Sequence, residues 1–459
     1  MAQYLLTSNQ NRKAMKLKRI FGLFLLGGLL VTGSLQAQTK KWTLEECIQY
    51  AIENNINLKR QEITSSQSEE NFKQSKVELL PSVDFYGQHG FKDGKVLDKA
   101  TYEYVDQSTQ NGSASVNSEI TLFSGLQNYN NIKRTKYNYL SALANVDKAK
   151  NDLTLNISMA FLDILFFKED VKLAEEQLAV TKDQIAKTEK LIQVGNSAKG
   201  DLLEIKSQAA SEELALVEKR NNLKLATLRL TQLLNLEDTN NFAIAIPEDL
   251  SVSSIAALQK VGSIYEEALN TLPEIQVAQY NVQSNQAYLN MQKGKLSPSL
   301  SLGVAYGSWY SESLKNFSNY NEQLKDNAES RITISLQVPI FNKFRTKRDI
   351  TNAKLSVEDA QWNLEEQKQA LYKTIQEAHA KSVAAYEKYQ AGEEAVKAMQ
   401  EAFNYTEQKY EVGLVDIIEY KIAKKNLNDA QVSLIQAKYD FIFRTKILEF
   451  YQNQEFTLN

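Results

Sequence analysis

Residues 157–195 read ISMAFLDILFFKEDVKLAEEQLAVTKDQIAKTEKLIQVG, and their spacing decides the fold. Ile157, Ile164, Val171, Leu178, Ile185 and Ile192 stand seven apart, while Ala160, Phe167 and Ala174 fall three after the first members. An apolar position every seven residues, with a second three later, is the seam of a coiled coil. Neither glycine nor proline interrupts the chain between Gly125 and Gly195, so nothing there breaks a helix. A helix over 126–194, at ~1.5 Å per residue, is about 100 Å long. Average helices have only ~11–12 residues, so this one belongs to a structure that must reach across a distance.

Beyond Gly195 the frame resumes in Leu202, Ala209, Leu216, Leu223 and Leu230. It returns in Ile375, Tyr389, Val396, Phe403 and Tyr410, with the small residues Ala378, Ala385 and Gly392 three after successive frame positions. Small seam residues permit close helix approach. The return reflects an internal repeat. Pro81-Ser82 recurs as Pro298-Ser299 at an offset of 217; Phe123 recurs as Phe341, Ile132 as Ile350, Leu153 as Leu371 and Val194-Gly195 as Val412-Gly413 at 218. After the turn the offset drops to 215, where Asp201 meets Asp416 and Glu204 meets Glu419. The chain divides into a signal peptide (1–37), repeat 1 (38–246), a connector (247–260) and repeat 2 (261–459). Repeat 1 is expected to hold a helix over 43–79, strands over 82–91 and 113–123, the long helix 126–194 and a helix over 201–235. Repeat 2 is expected to hold a helix over 262–294, strands over 299–310 and 331–340, the long helix 344–411 and a helix over 416–450.

The strands are read from period two. Val83, Phe85 and Gly87 alternate with polar residues; so do Val116, Ile120 and Leu122, then Leu300, Leu302, Val304 and Tyr306, then Ile332, Ile334, Leu336, Val338 and Ile340. Strands of about 10 residues, apolar on one face and polar or small on the other, fit a transmembrane barrel. A soluble sheet with one buried face has the same alternation. The polar segments 92–112 and 311–330, both on the same side of the strand pairs, favour the membrane reading. Tyr86, Tyr306, Trp309 and Tyr310 are either part of an interfacial aromatic belt or ordinary strand aromatics. Lipid tolerates no open sheet edge. Four strands per chain must therefore be pooled, giving 8, 12 or 16 strands for two, three or four chains.

Composition narrows the function. Lys16, Lys18 and Arg19 precede an apolar run over 20–35 that ends near Ala37, the pattern of a cleaved export signal. No other run is fit to be a transmembrane helix. The chain carries 53 basic and 56 acidic residues; without the five basic residues of 1–37 the balance is 48 to 56. That excludes the basic footprint of a nucleic-acid binder. One cysteine, Cys47, excludes an intramolecular disulfide framework, and two histidines, His89 and His379, leave little for metal or triad chemistry. No glycine-rich phosphate loop is present. No enzyme activity, cofactor or metal site is expected. A structural coiled-coil scaffold explains the heptads but not the matched period-two segments, and a diffusion porin lacks helices of this length.

The signal, the doubled helix–strand–strand–helix–helix plan and the Val-Gly turns followed by acidic pairs resemble the TolC-type outer-membrane efflux factors. Thr43-Leu-Glu-Glu-Cys-Ile-Gln-Tyr-Ala51 resembles that family's opening helix, although Asn54-Asn55-Ile56 lacks the usual proline, which repeat 2 keeps nearby as Leu272-Pro273. The resemblance spans about residues 40–450. It implies a mainly α fold with a membrane β part: a homotrimer of long coiled-coil-like helices forming an α-barrel, over a shared 12-stranded β-barrel in outer-membrane lipid. It implies a passive exit duct of a tripartite efflux or type I secretion system in a Gram-negative bacterium. The helical part lies in the periplasm, with an adaptor protein and an inner-membrane transporter as partners. Cys47, inside a predicted helix, is read as a buried residue with no lipid anchor.

Gly195 and Gly413 end the long helices as left-handed caps. Val194, Gly195, Val412 and Gly413 are expected at the tips that meet the adaptor. Asp201 and Glu204, and Asp416 and Glu419, each stand three apart. Two readings apply: ordinary first-turn acids complementing a helix dipole, or, as the resemblance implies for the second pair above all, carboxylates lining the narrow periplasmic aperture.

Overall fold

The structure, a computed structural model, describes residues 41–97, 101–106, 108–195, 197–236, 242–247, 259–314, 318–454 and 456–458. The export signal expected over 1–37 and most of the connector lie outside these residues. In chain order the first repeat contributes β1 (Lys41–Trp42), α1 (Leu44–Asn54), α2 (Ile56–Val77), β2 (Ser82–Lys92), β3 (Lys95–Leu97), β4 (Tyr104–Asp106), β5 (Thr109–Phe123), α3 (Gln127–Gln193), α4 (Lys199–Leu233) and β6 (Ala243–Ile244). The second contributes α5 (Val261–Thr271), α6 (Pro273–Gly294), β7 (Ser299–Ser311), α7 (Tyr320–Asp326), β8 (Glu329–Gln337), α8 (Arg345–Glu411) and α9 (Ile417–Asn453). Both long helices, α3 and α8, have 67 residues.

The single helices expected over 43–79 and 262–294 are each two. At Asn55 the backbone leaves the helix (φ −68°, ψ 123°), and its Oδ1 accepts from the amides of Asn57 (3.0 Å) and Leu58 (3.1 Å), starting a new helix. In repeat 2 the break falls at Leu272, and Pro273 opens α6, where its missing N–H costs nothing. The strand expected over 331–340 runs 329–337 and stops before Pro339, which cannot donate to a ladder. The strand expected from 113 starts at Thr109. The polar segments 92–112 and 311–330 carry the β3–β4 hairpin and α7.

The four long strands form one antiparallel sheet in the order β2-β5-β7-β8. Above it α2, α3, α6 and α8 pack in the matching order. Lower down, α4 continues along α3 and α9 along α8. The register puts Val83, Val304 and Ile332 in one row, and the same face carries Phe85, Val116, Ile120, Leu302 and Ile334. On the edge strands these side chains stay in the open, Phe85 74% exposed and Ile332 73%, while Ile120 and Leu302 on the inner strands are half-buried. The opposite face carries Asp84, Asn117, Ala305 and Arg331. Of the four aromatics considered for a belt, Tyr306 and Tyr310 share the apolar face; Tyr86 and Trp309 lie on the other.

The seam read from the sequence packs as a core. Val171, Ala174 and Leu178 of α3 are buried against Ala209 and Leu216 of α4. The largest core joins α1, mid-α3, the end of α4 and α9 around Cys47, Ile157, Phe161, Leu165, Leu230 and Phe450. At Gly392 a β-carbon would meet Leu434 Cδ1 at 3.2 Å, so α8 and α9 approach closely there. Among the described residues no helix is long and apolar enough to cross a membrane.

Candidate aperture at the helix tips

Each long helix ends at a Val-Gly turn. Gly195 has φ +83° and Gly413 φ +74°, the left-handed region that favours glycine. The amide of Gly413 donates to Tyr410 O (3.0 Å) and that of Leu414 to Lys409 O (2.8 Å), the paired bonds of a Schellman turn. In repeat 1 the Gly195 amide donates to Ile192 O at 3.1 Å. Both turns leave apolar side chains outside: Val194 and Val412 are both 70% exposed and Leu414 74%.

The four acids beyond the turns have different partners. Asp416 caps α9: its Oδ1 accepts from the amides of Ile418 (3.1 Å) and Glu419 (2.9 Å). Asp201, in the first turn of α4, accepts from Ser197 Oγ (3.0 Å) and the Ala198 amide (3.3 Å). Glu204 pairs with Lys421 of α9 at 3.0 Å. Glu419 is exposed, and its carboxylate has no hydrogen-bond or ion-pair partner among the described residues. Asp201 and Asp416 line one cleft of about 1110 Å³ between the two tips, together with Lys187, Lys190, Tyr410 and Glu411; Glu204 and Glu419 stand outside it.

Above the turns Ile205, Phe403, Ile417, Tyr420 and Leu427 form a buried cluster. Tyr420 stacks obliquely on Phe403 (5.4 Å) and Tyr410 (5.1 Å). Its hydroxyl is buried without a hydrogen-bond partner among the described residues. Burial first, then the nearby Glu407 and Glu212 carboxylates, push its pKa far up, so it stays neutral. Burial, with Asp201 nearby, also raises Tyr410.

Next along α9 is a contact that the sequence reading missed. Lys424 Nζ donates to Glu212 Oε1 (3.0 Å) on α4, and to Gln177 O (3.0 Å) and Thr181 Oγ1 on α3. Gln208 Nε2 adds a bond to Glu212 Oε1 at 2.9 Å. Thus one buried lysine ties α9 to both helices of the first hairpin. The signal was present: Lys424 stands seven after the buried Ile417, on a seam where an apolar residue is expected. Two exposed pairs bridge the hairpins nearer the turns, Lys187–Glu411 (3.1 Å) and Lys421–Glu204.

An open sheet with an outward apolar face, a helix layer in register with it and paired helical tips define a class: an outer-membrane duct protein built from two repeats. The family model of the outer membrane efflux proteins matches residues 47–236 and 264–443, once per repeat, and the chain belongs to that family. It is an outer-membrane protein of a Gram-negative bacterium. The outer membrane efflux protein BepC of Brucella suis is 22% identical over 420 residues, covering 91% of this chain and 86% of BepC. A crystal structure of CusC, described for its folding and transmembrane channel formation, superposes with a TM-score of 0.78 at 18% identity, covering 89% of this chain and 91% of the other. The outer membrane protein VceC of Vibrio cholerae gives a TM-score of 0.74 at 17% identity, covering 90% and 95%.

Proposed function

We propose that three copies of this chain close into a passive duct. A barrel of 12 strands (four from each copy) spans outer-membrane lipid, and a tube of helices reaches into the periplasm. The observation carrying this reading is the four-stranded sheet: apolar and exposed on one face, polar on the other, with both edges unpaired among the described residues. In lipid such edges must be closed by strands from other copies. An exported scaffold has no use for an exposed apolar sheet face, which sets that alternative aside.

The duct needs no chemistry of its own. Energy comes from an inner-membrane transporter, joined through a periplasmic adaptor that docks on the exposed apolar tips at Val194-Gly195 and Val412-Gly413. The aperture lies at the same end. Asp416 and Asp201 shape it by holding the first turns of α9 and α4, while Glu419 supplies a ring of unpartnered carboxylates favouring cations. Opening swings the hairpins apart, which requires the Lys424 contact and the two surface ion pairs to part. The carrying test is native mass together with conductance in a planar bilayer. A trimer that forms ion-conducting pores is expected; a purified outer-membrane species that is monomeric and non-conducting sinks the reading.

A further inference from the structure

We propose that the corners where strands meet helices form a basic collar that takes the headgroups of anionic glycerophospholipids, from the leaflet on the helix side of the membrane. The proposal rests on the duct reading above and adds a lipid class to it. The collar is written in the sequence twice. The ends of α2 and α6 (72–80 and 289–297) are repeat mates, as are the starts of α3 and α8 with their corners (124–136 and 342–354). Together these segments carry twelve basic and two acidic residues, in a chain with 53 basic and 56 acidic. The segments that join the strands at the other end of the sheet, 93–108 and 312–328, carry four basic and seven acidic. Positive charge is thus gathered at one rim of the sheet only, where it is drawn to an anionic lipid surface.

The folded chain holds these segments at one level. Lys295, past the end of α6, lies 3.8 Å from Asp349 of α8, and Asn131 Nδ2 of α3 donates to Glu78 Oε2, past the end of α2, at 3.5 Å. Both acids are therefore engaged within the protomer, and Asp349 also pairs with Arg348 at 2.8 Å. Lys133, Lys136, Lys293, Lys343 and Lys347 are exposed and make no ion pair among the described residues. Like charges gathered without counter-charges repel one another, so this layer gains from an anion supplied from outside.

That anion is a lipid because the collar borders open apolar surface. The apolar alternation of β8 runs on past the strand to Ile340, 94% exposed, and Phe341 follows it. At the corners the repeat mates Leu126 and Phe344 are 62% and 67% exposed, and Phe341 meets Phe344 edge to face at 5.5 Å. Lysines stand over the same kind of ring: Lys347 Nζ lies 6.0 Å from the centroid of Phe344, Lys133 Nζ 4.6 Å from that of Tyr129 and Lys76 Nζ 3.9 Å from that of Phe72. Ammonium groups for a phosphate and apolar side chains for acyl chains thus lie side by side, the arrangement that long basic and aromatic side chains adopt at a membrane boundary. A free phosphate would use only the first.

The test is native mass spectrometry of the detergent-purified full chain, offered phosphatidylglycerol and phosphatidylcholine in equal amounts. Phosphatidylglycerol is expected to be retained roughly tenfold over phosphatidylcholine, since each basic residue near an anionic headgroup adds attraction. Lys133→Gln, Lys136→Gln, Lys343→Gln and Lys347→Gln combined should bring that preference below roughly twofold while trimer mass and conductance are kept; arginine at the same four positions should preserve it. Should the glutamine variant fail to assemble, strong salt replaces it: the parent's preference should fall as salt screens the charges, and a preference that survives overturns the proposal. Excess inorganic phosphate should leave the lipid bound, and release by phosphate alone would assign the collar to a free anion. A conducting trimer that retains both lipids equally, or an assembled glutamine variant with the parent's preference, overturns the collar and leaves the duct reading intact. A monomeric, non-conducting parent overturns both.

Discussion

Lys424 on α9 and Glu212 on α4 are joined at 3.0 Å with 10% and 14% of their side chains exposed, although 212 residues separate them in sequence. Removing one member of a buried pair leaves the other uncompensated, whereas replacing both with apolar groups is often neutral. Lys424→Met is therefore expected to destabilise the folded protein by about 3 kcal/mol, and adding Glu212→Leu to recover most of that loss. Because the contact ties α9 to the first hairpin, Lys424→Met is also expected to raise bilayer conductance. Thermal melts and single-channel recordings check the two parts; a conductance like the parent's would show that this contact does not hold the tips together.

That contact marks a boundary in what the sequence makes legible. The long helices are readable because α3 keeps its seam unbroken from Ile157 to Ile192, and the strands because apolar residues recur at every second place. The breaks at Asn55 and Leu272 are harder to read, since helical spacing continues across both: the chain is redirected by the side-chain cap of Asn55 in one repeat and by Pro273 in the other. At the tips the glycine turns are legible from composition. The separate duties of the acids are not, because a cap, an ion pair and a free carboxylate all look alike three residues apart. Lys424 is legible only as a charge at a seam position; its partners Glu212 and Thr181 come from helices distant in sequence and are not.

The acids at the tip of the second repeat should separate by substitution. Asparagine caps a helix as well as aspartate, so Asp416→Asn should leave stability unchanged, while Asp416→Ala should cost about 1 kcal/mol. Glu419→Gln touches no partner and should lower cation selectivity in planar bilayers. If Asp416→Asn combined with Glu419→Gln keeps the parent's selectivity and its block by multivalent cations, these carboxylates do not line the aperture.

The exposed apolar tips should matter to the adaptor alone. Val194→Ser, Val412→Ser and Leu414→Ser together change surface side chains, each 70% or more exposed, so stability should move by only about 0.5 kcal/mol per site. Adaptor capture, read by crosslinking through Ser197→Cys, should be lost while native mass and conductance are kept. Undiminished capture would place the docking surface elsewhere.

The strand-to-helix corners offer a controlled comparison. Gly125-Leu126 and Lys343-Phe344 are repeat mates, and all four residues are left-handed, with φ between +57° and +62°. Lysine at one corner shows that the conformation itself accommodates a side chain. Gly125 differs in what it touches: a β-carbon there would lie 2.2 Å from Gly294 O and 2.7 Å from Ser297 Cβ. Gly125→Ala should therefore cost roughly 1–3 kcal/mol through overpacking, or more if the backbone cannot shift. Lys343→Gly should leave stability within about 1 kcal/mol of the parent. A gain for Lys343→Gly as large as the loss for Gly125→Ala would assign the cost to the dihedral angles instead of to the contact between α6 and the corner.

Glu274, in the first turn of α6, should make stability fall as pH rises. Burial holds its carboxyl above the usual carboxylate range, opposed by its own backbone amide and by Lys148, and reinforced by Asp152. A carboxyl whose pKa is higher folded than unfolded binds its proton more tightly in the native state. Its contribution is full below the unfolded value of about 4.3 and is lost as pH climbs through the folded value. Glu274→Gln keeps the shape of the neutral acid and removes the penalty of burying the charge. The variant should melt above the parent at pH 7, and the gap should close by about pH 4, where the parent's carboxyl is protonated in both states. Melting curves followed by circular dichroism at the two pH values decide it. A variant that is less stable than the parent at pH 7 would mean that the attraction of Lys148 outweighs burial at this site.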